Sequence, residues 1–260
     1  MKAHLTKKLL TRLLGGFCIL AFVAFTYWKE DIQAGKTVPI TAHNHSQKSV
    51  TVNTPYVSTH VTSLLTNPCL VTLLDSITNP CLSTYISHLF AYTYNGSQAT
   101  FSLSIAESDT KKCPGWTDVS RSNPSELTIY LNKSIAPDAS REYWTTVLGH
   151  EIIHSFIIIN HMAPHVTPGV PPYLEVTHEL MVKSWVTSLA EFIRTCHPAL
   201  SKYDSFGLAL DGLQDIMIGH GYESDTNWDN FIQSHYNISI TEAGHVGDAY
   251  AFGGYGTECP

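Results

Sequence analysis

A helix that is apolar on nearly every side must be wrapped by the rest of its domain, and residues 144–159 read as such a helix. Trp144, Leu148, Ile152, Phe156 and Ile159 recur at helical spacing as one stripe, and Ile153, Ile157 and Ile158 fill positions between them. A segment of this kind belongs at the centre of an α+β domain, between a small mixed or antiparallel sheet and a largely helical C-terminal half. Its polar residues therefore need a reason to be there.

Those residues are His150, Glu151 and His154, in the run His150-Glu151-Ile152-Ile153-His154. The chain has 14 histidines, so the pattern could arise by coincidence as a pair of core imidazoles. The context argues otherwise, because on a helical wheel both histidines point away from the apolar stripe. One turn apart on one face, they can converge on a single Zn²⁺, with Glu151 beside them as a general base.

Such a site needs three protein ligands and an open position. The metzincin spacing would require glycine at 157 and histidine at 160, where the chain has Ile157 and Asn160. The third ligand must lie further on, among His161, His165, Glu175, His178 and Glu179. A second helix, from about Tyr173 or Thr177 to Thr195, carries Val182, Trp185, Val186, Leu189 and Ile193 on one face. Projected back one turn that stripe reaches His178, and back two it reaches Glu175, whereas Glu179 falls to the side. His178 is the first choice and Glu175 the second.

His150-Glu151-Ile152-Ile153-His154, a proline-containing loop, and then His178 followed by Met181 and Trp185 resemble the SprT-like zincin metallopeptidases, and among them the exported bacterial group. The resemblance covers about residues 95–195, with a longer loop before His178. It implies a zincin-like domain, one catalytic Zn²⁺ on His150, His154 and His178, and hydrolysis of peptide bonds. Intracellular relatives act on proteins attached to DNA. This chain has a formal charge of −7, only 14% charged residues and no basic patch beyond its first residues, so nucleic acid is not expected as a partner.

Lys2, Lys7, Lys8 and Arg12 precede an apolar stretch from Leu13 to Trp28 that reads as a signal peptide or an uncleaved signal anchor, placing the domain outside the cytoplasm. No good cleavage site is evident, and Phe17 before Cys18 argues against lipidation. Residues 30–60 read as a polar tether, with His43 and His45 as solvated linker histidines, and residues 61–260 as one domain. Of the five later cysteines, Cys69, Cys81, Cys113, Cys196 and Cys259, up to two pairs can form disulfides in an exported protein. None lies in a C-x-x-C pair.

Within the domain, the repeat Thr66-Asn-Pro-Cys-Leu70 and Thr78-Asn-Pro-Cys-Leu82 opens two short helices. Ala99–Ala106 and Glu126–Asn132 alternate as strands, joined by a loop. The second of these is a candidate edge strand above the His150 helix, able to hold an extended peptide. Prolines end that helix before 172. Further helices are expected over Phe206–Ile218 and Asn227–His235, followed by an ordered, disulfide-pinned loop over 239–260. Asn95, Asn132 and Asn237 fit the glycosylation pattern, which matters only in a host with that pathway. His220, Tyr222 and Tyr173 are candidate oxyanion donors.

The expected activity is that of an exported zinc metallopeptidase acting on peptide or protein substrates. The competing expectations are a zinc-binding or adhesion module without turnover and an amidase acting on cell-wall or other non-protein amides. Glu151 counts against the first, since binding alone needs no base.

Overall fold

In the computed structural model, residues 48–53, 57–77, 81–90, 99–120, 123, 125–160, 171–213 and 228–259 are described, without side chains at 48–60, 99–100 and 171–176. The segment 13–28, His43, His45 and Asn95 lie outside these residues. Among the described residues, no helix is long and apolar enough to cross a membrane.

Strands β1 (Lys48–Asn53), β2 (Val57–Leu64), β3 (Ala99–Glu107), β4 (Gly115–Val119) and β5 (Glu126–Leu131) form one mixed sheet in the order β1-β2-β3-β5-β4. β2, β3 and β5 run parallel, and the outer strands β1 and β4 pair antiparallel to their neighbours. Helices α1 (Pro68–Ile77) and α2 (Ser83–Phe90) make the crossover from β2 to β3. The C-terminal half is helical: α3 (Arg141–Ile159), α4 (Pro171–Ser184), α5 (Val186–Cys196), α6 (Lys202–Asp211), α7 (Trp228–Tyr236) and α8 (Ile240–Ala251). The architecture is thus α+β, with a small mixed sheet and eight helices among the described residues.

The alternation in β3 and β5 decides which face of the sheet is core. Phe101, Leu103, Ile105, Leu127, Ile129 and Leu131 are buried, while Ser102, Ser104 and Thr128 occupy the other face. α3 packs on β4 and β5 and also meets α1, α2, α4, α5, α6 and α8. Trp144, Leu148, Ile152 and Phe156 are at most 2% exposed, and Ile153 and Ile157 on other sides of the helix are equally buried. Each such side chain contributes roughly 1.5–3 kcal/mol on leaving water, so α3 holds the core together by its whole circumference. Gly149 permits a close crossing: a Cβ there would lie 2.5 Å from Leu189 Cδ1 of α5.

Both repeat-derived helices are present. Asn67 Oδ1 accepts from the Cys69 and Leu70 amides at 3.0 and 3.4 Å, capping α1. Glu107 at the end of β3 accepts from the Thr66 amide at 2.6 Å and from the Asn67 amide, tying sheet to helix.

Several expectations need correction. The sheet begins at Lys48, inside the stretch read as a tether, because its Ser, Thr and Val residues suit an alternating strand despite their polarity. The loop between the two expected strands contains β4, too short to show a period. β5 is consequently interior, and β4 is the edge. The helix expected up to Thr195 is two helices, α4 and α5, divided at Trp185 (φ −126°, ψ −6°), whose indole packs edge-on against Phe156 at 5.7 Å. α6 ends at Asp211, and residues 214–218 of its expected span lie outside the described residues. Residues 239–260 are not a loop throughout, since α8 occupies 240–251 and starts with a Ser239–Glu242 capping box. The tail beyond it is pinned by a Cys69–Cys259 disulfide, which bridges a separation of 190 residues.

Candidate metal centre

Helical spacing alone brings His150 and His154 together, with ring centroids 4.7 Å apart. His178, near the middle of α4, comes from the other side of the proline-containing segment and lies 5.1 Å, ring to ring, from both. All three rings turn the same nitrogen inward: Nε2 of His154 is 3.0 Å from Nε2 of His150 and 3.2 Å from Nε2 of His178. The three side chains are placed closely enough to hold one metal ion. Nitrogens 2.0–2.1 Å from a tetrahedral Zn²⁺ stand about 3.3 Å from one another, close to the observed spacing.

A chain of hydrogen bonds passing through the three Nε2 atoms is not open to neutral rings. A neutral imidazole Nε2 carries either a hydrogen or a lone pair, so Nε2 of His154 cannot donate to one neighbour while accepting from the other. Adding a proton is unfavourable too. His154 is 5% exposed, and burial, followed by the neighbouring His150 and His178, holds its pKa well below the ordinary histidine value. Three inward Nε2 atoms at this spacing could instead share one metal ion. Among the described residues, nothing accepts from Nδ1 of His154, the position at which a histidine ligand ordinarily finds its outer partner.

Glu151 faces the sheet. The Thr117 hydroxyl of β4 donates to Glu151 Oε2 at 2.9 Å and, in a shared arrangement, to its main-chain carbonyl at 3.0 Å. β4 runs so near that a Cβ on Gly115 would lie 3.1 Å from Glu151 Cγ and 2.6 Å from Val147 Cγ1. Burial pushes the Glu151 carboxyl up to about 7, against the opposing pull of the Thr117 hydrogen bond and Lys111. A divalent cation at the three imidazoles would pull this value down.

The end of α6 backs the site: a Cβ on Gly212 would meet His150 Nδ1 at 3.1 Å. Beside it Asp211 is raised to about 7 by burial and then by Asp248. Neither Thr117 nor Asp211 was anticipated. A threonine flanked by Trp116 and Asp118 carries a weak strand signal, but nothing local to it reveals a partner 34 residues away.

Of the predicted residues, His150, His154 and His178 come together, and Glu151, next to His150 in the chain, turns its carboxylate to Thr117 of β4. Glu179 does not join them, its carboxylate forming an ion pair with Lys183 at 2.5 Å one turn along α4. His161, His165, His220, Tyr222 and the side chains of Tyr173 and Glu175 lie outside what is described. A shallow open concavity of about 350 Å³ is lined by Ser102, Ser104, Asp118, Thr128 and Tyr130, on the opposite face of the sheet from Glu151. Compared with known protein families, curated proteins and solved structures, the chain matches none.

Proposed function

We propose that this chain is an exported zinc metallopeptidase of the zincin type, with His150, His154 and His178 as metal ligands and Glu151 as general base. The observation that carries the reading is the convergence of three Nε2 atoms, with a buried carboxylate on the residue that follows His150 in the same helix. Three neutral imidazoles suit Zn²⁺ and leave room for a fourth position. When bound, zinc supplies Lewis acidity, polarising a carbonyl and easing the ionisation of water.

The protein residues do the rest. Thr117 holds Glu151 Oε2 and fixes the carboxylate, leaving Oε1 to take a proton from water and pass it to the departing amide nitrogen. Burial keeps that carboxylate basic enough for the first transfer, and its protonated form acidic enough for the second. The exposed edge of β4, adjacent to Glu151, replaces β5 as the strand on which an extended peptide would lie.

Metal analysis of the purified protein, alongside cleavage of an unfolded protein substrate, tests the proposal. One zinc per chain is expected in the wild type and in Glu151→Gln, with hydrolysis lost about 10³-fold in the variant. Wild-type protein with no tightly held metal, or a Glu151→Gln variant as active as wild type, would overturn it.

A further inference from the structure

We propose that Cys81 and Cys196 form a second disulfide, tying α2 to α5 behind the histidine cluster. Three cysteines besides the bridged pair are described, and two of them meet. The Cys196 thiol, at the opposite end of α5 from Trp185, has the Cys81 thiol as its neighbour, and both are free thiols in the fold. This contact follows from a firmer one. Tyr85, four residues after Cys81, stacks on Phe192, four residues before Cys196, with ring centroids 4.2 Å apart and planes within 14°. Equal steps of one turn in opposite chain directions carry the two helices from the ring pair to the thiol pair.

The location gives the link a purpose. The Tyr85 hydroxyl donates to the Gly149 carbonyl at 3.4 Å, and a Cβ on Gly149 would lie 3.0 Å from the Phe192 ring. α2, α3 and α5 therefore meet at the residue before His150. A covalent tie one turn away fixes the packing against which that histidine is seated. Cys113 lies in the segment leading into β4.

The oxidant belongs to the class of thiol–disulfide exchange partners, small or protein disulfides. One cysteine thiolate attacks the partner disulfide and expels one thiolate. The other then attacks the mixed disulfide and expels the second. Two protein thiols lose two electrons and two protons, and the partner disulfide becomes two thiols. Cys81 is 9% exposed, and burial raises the Cys196 thiol well above the ordinary thiol range, so exchange in the finished fold is slow. The link closes as α5 docks during folding.

The test is to refold the reduced full chain in a mixture of oxidised and reduced glutathione, quench it, label free thiols under denaturing conditions and map peptides without reduction. A peptide containing Cys81 joined to one containing Cys196 is expected, with Cys113 labelled and Cys69–Cys259 joined in the same sample. Cys81→Ser and Cys196→Ser should each abolish the cross-linked peptide and lower the melting temperature by about 5–10 °C. Full labelling of Cys81 and Cys196 beside an intact Cys69–Cys259 bridge, or either of them joined to Cys113, would overturn the inference. Zinc content plays no part in the readout, so the result stands apart from the proposed activity.

Discussion

Two turns apart on α3 stand two groups that look alike in composition and differ in what they can do. At the helix start, Glu142, Thr145 and His197 line up as a carboxylate, a hydroxyl and an imidazole. His197 Nε2 lies 2.8 Å from Thr145 Oγ1, and His197 Nδ1 lies 3.6 Å from Glu142 Oε1. That series suggests an activated nucleophile. Yet Thr145 is wholly buried and gives its hydroxyl hydrogen to the Arg141 carbonyl at 2.9 Å, so it accepts from His197. Glu142 takes two hydrogen bonds from Thr257, at 2.8 and 2.9 Å, and the Arg141 amide reaches the Thr257 carbonyl at 3.0 Å. The Thr145 hydroxyl gives one hydrogen bond and receives another, and both oxygens of Glu142 are engaged by Thr257. This group fastens the C-terminal tail to the central helix, beside the Cys69–Cys259 bridge. At His150, His154 and His178 three Nε2 atoms converge closely enough to hold one metal ion. The contrast teaches that the way polar atoms are arranged, more than their identity, separates a structural network from a possible metal site.

His154→Ala should break the distinction most severely, removing both bound zinc and hydrolysis. His197→Ala should keep both, as metal analysis and a cleavage assay on the two variants would show. Thr117→Val should leave zinc content unchanged and reduce kcat/KM about tenfold, the loss of one hydrogen bond to the base, with recovery in Thr117→Ser. Glu142→Gln should act on stability alone, lowering the melting temperature by about 4–8 °C at neutral pH with zinc retained.

The smallest effect is in pH. Burial would raise Glu142, but the hydrogen bonds from Thr257 and the nearby His197 outweigh it and leave its pKa below the ordinary 4.5. Burial lowers His197 from 6.5 despite the opposing pull of Glu142, so its ring is neutral in the fold. A depressed folded pKa means that the unfolded chain binds the proton more readily in both cases. The His197 contribution is complete above about pH 6.5 and shrinks as pH falls below it. The Glu142 contribution is complete above about pH 4.5 and is lost on further acidification. Thermal unfolding from pH 7.5 to 4 should show stability declining with acid, and His197→Ala should flatten the part of the curve just below pH 6.5.

Much of this could be read locally. The helix carrying His150, Glu151 and His154 announces itself because apolar residues on every side leave only a central position for it. His178 was reachable because the stripe running through Val182 and Trp185 fixes which face of α4 turns inward. β4 was not, since five residues between Gly115 and Val119 are too few to show a period and their stability comes from pairing with β5. α8 carried a legible start in Ser239 and Glu242, obscured by the glycines and aromatic residues around it.

The sequence by itself determined the buried helix, the two imidazoles one turn apart on it, the carboxylate next to them and the alternating strands of the core, because each depends on spacing within a few residues. Only the tertiary structure decided that β4 is the edge strand, that Thr117 holds Glu151, that Cys69 pairs with Cys259 and that the Thr145–His197–Glu142 series is a fastening. Those outcomes join residues tens to hundreds of positions apart, and such encounters are set by how whole faces pack, which no local pattern encodes.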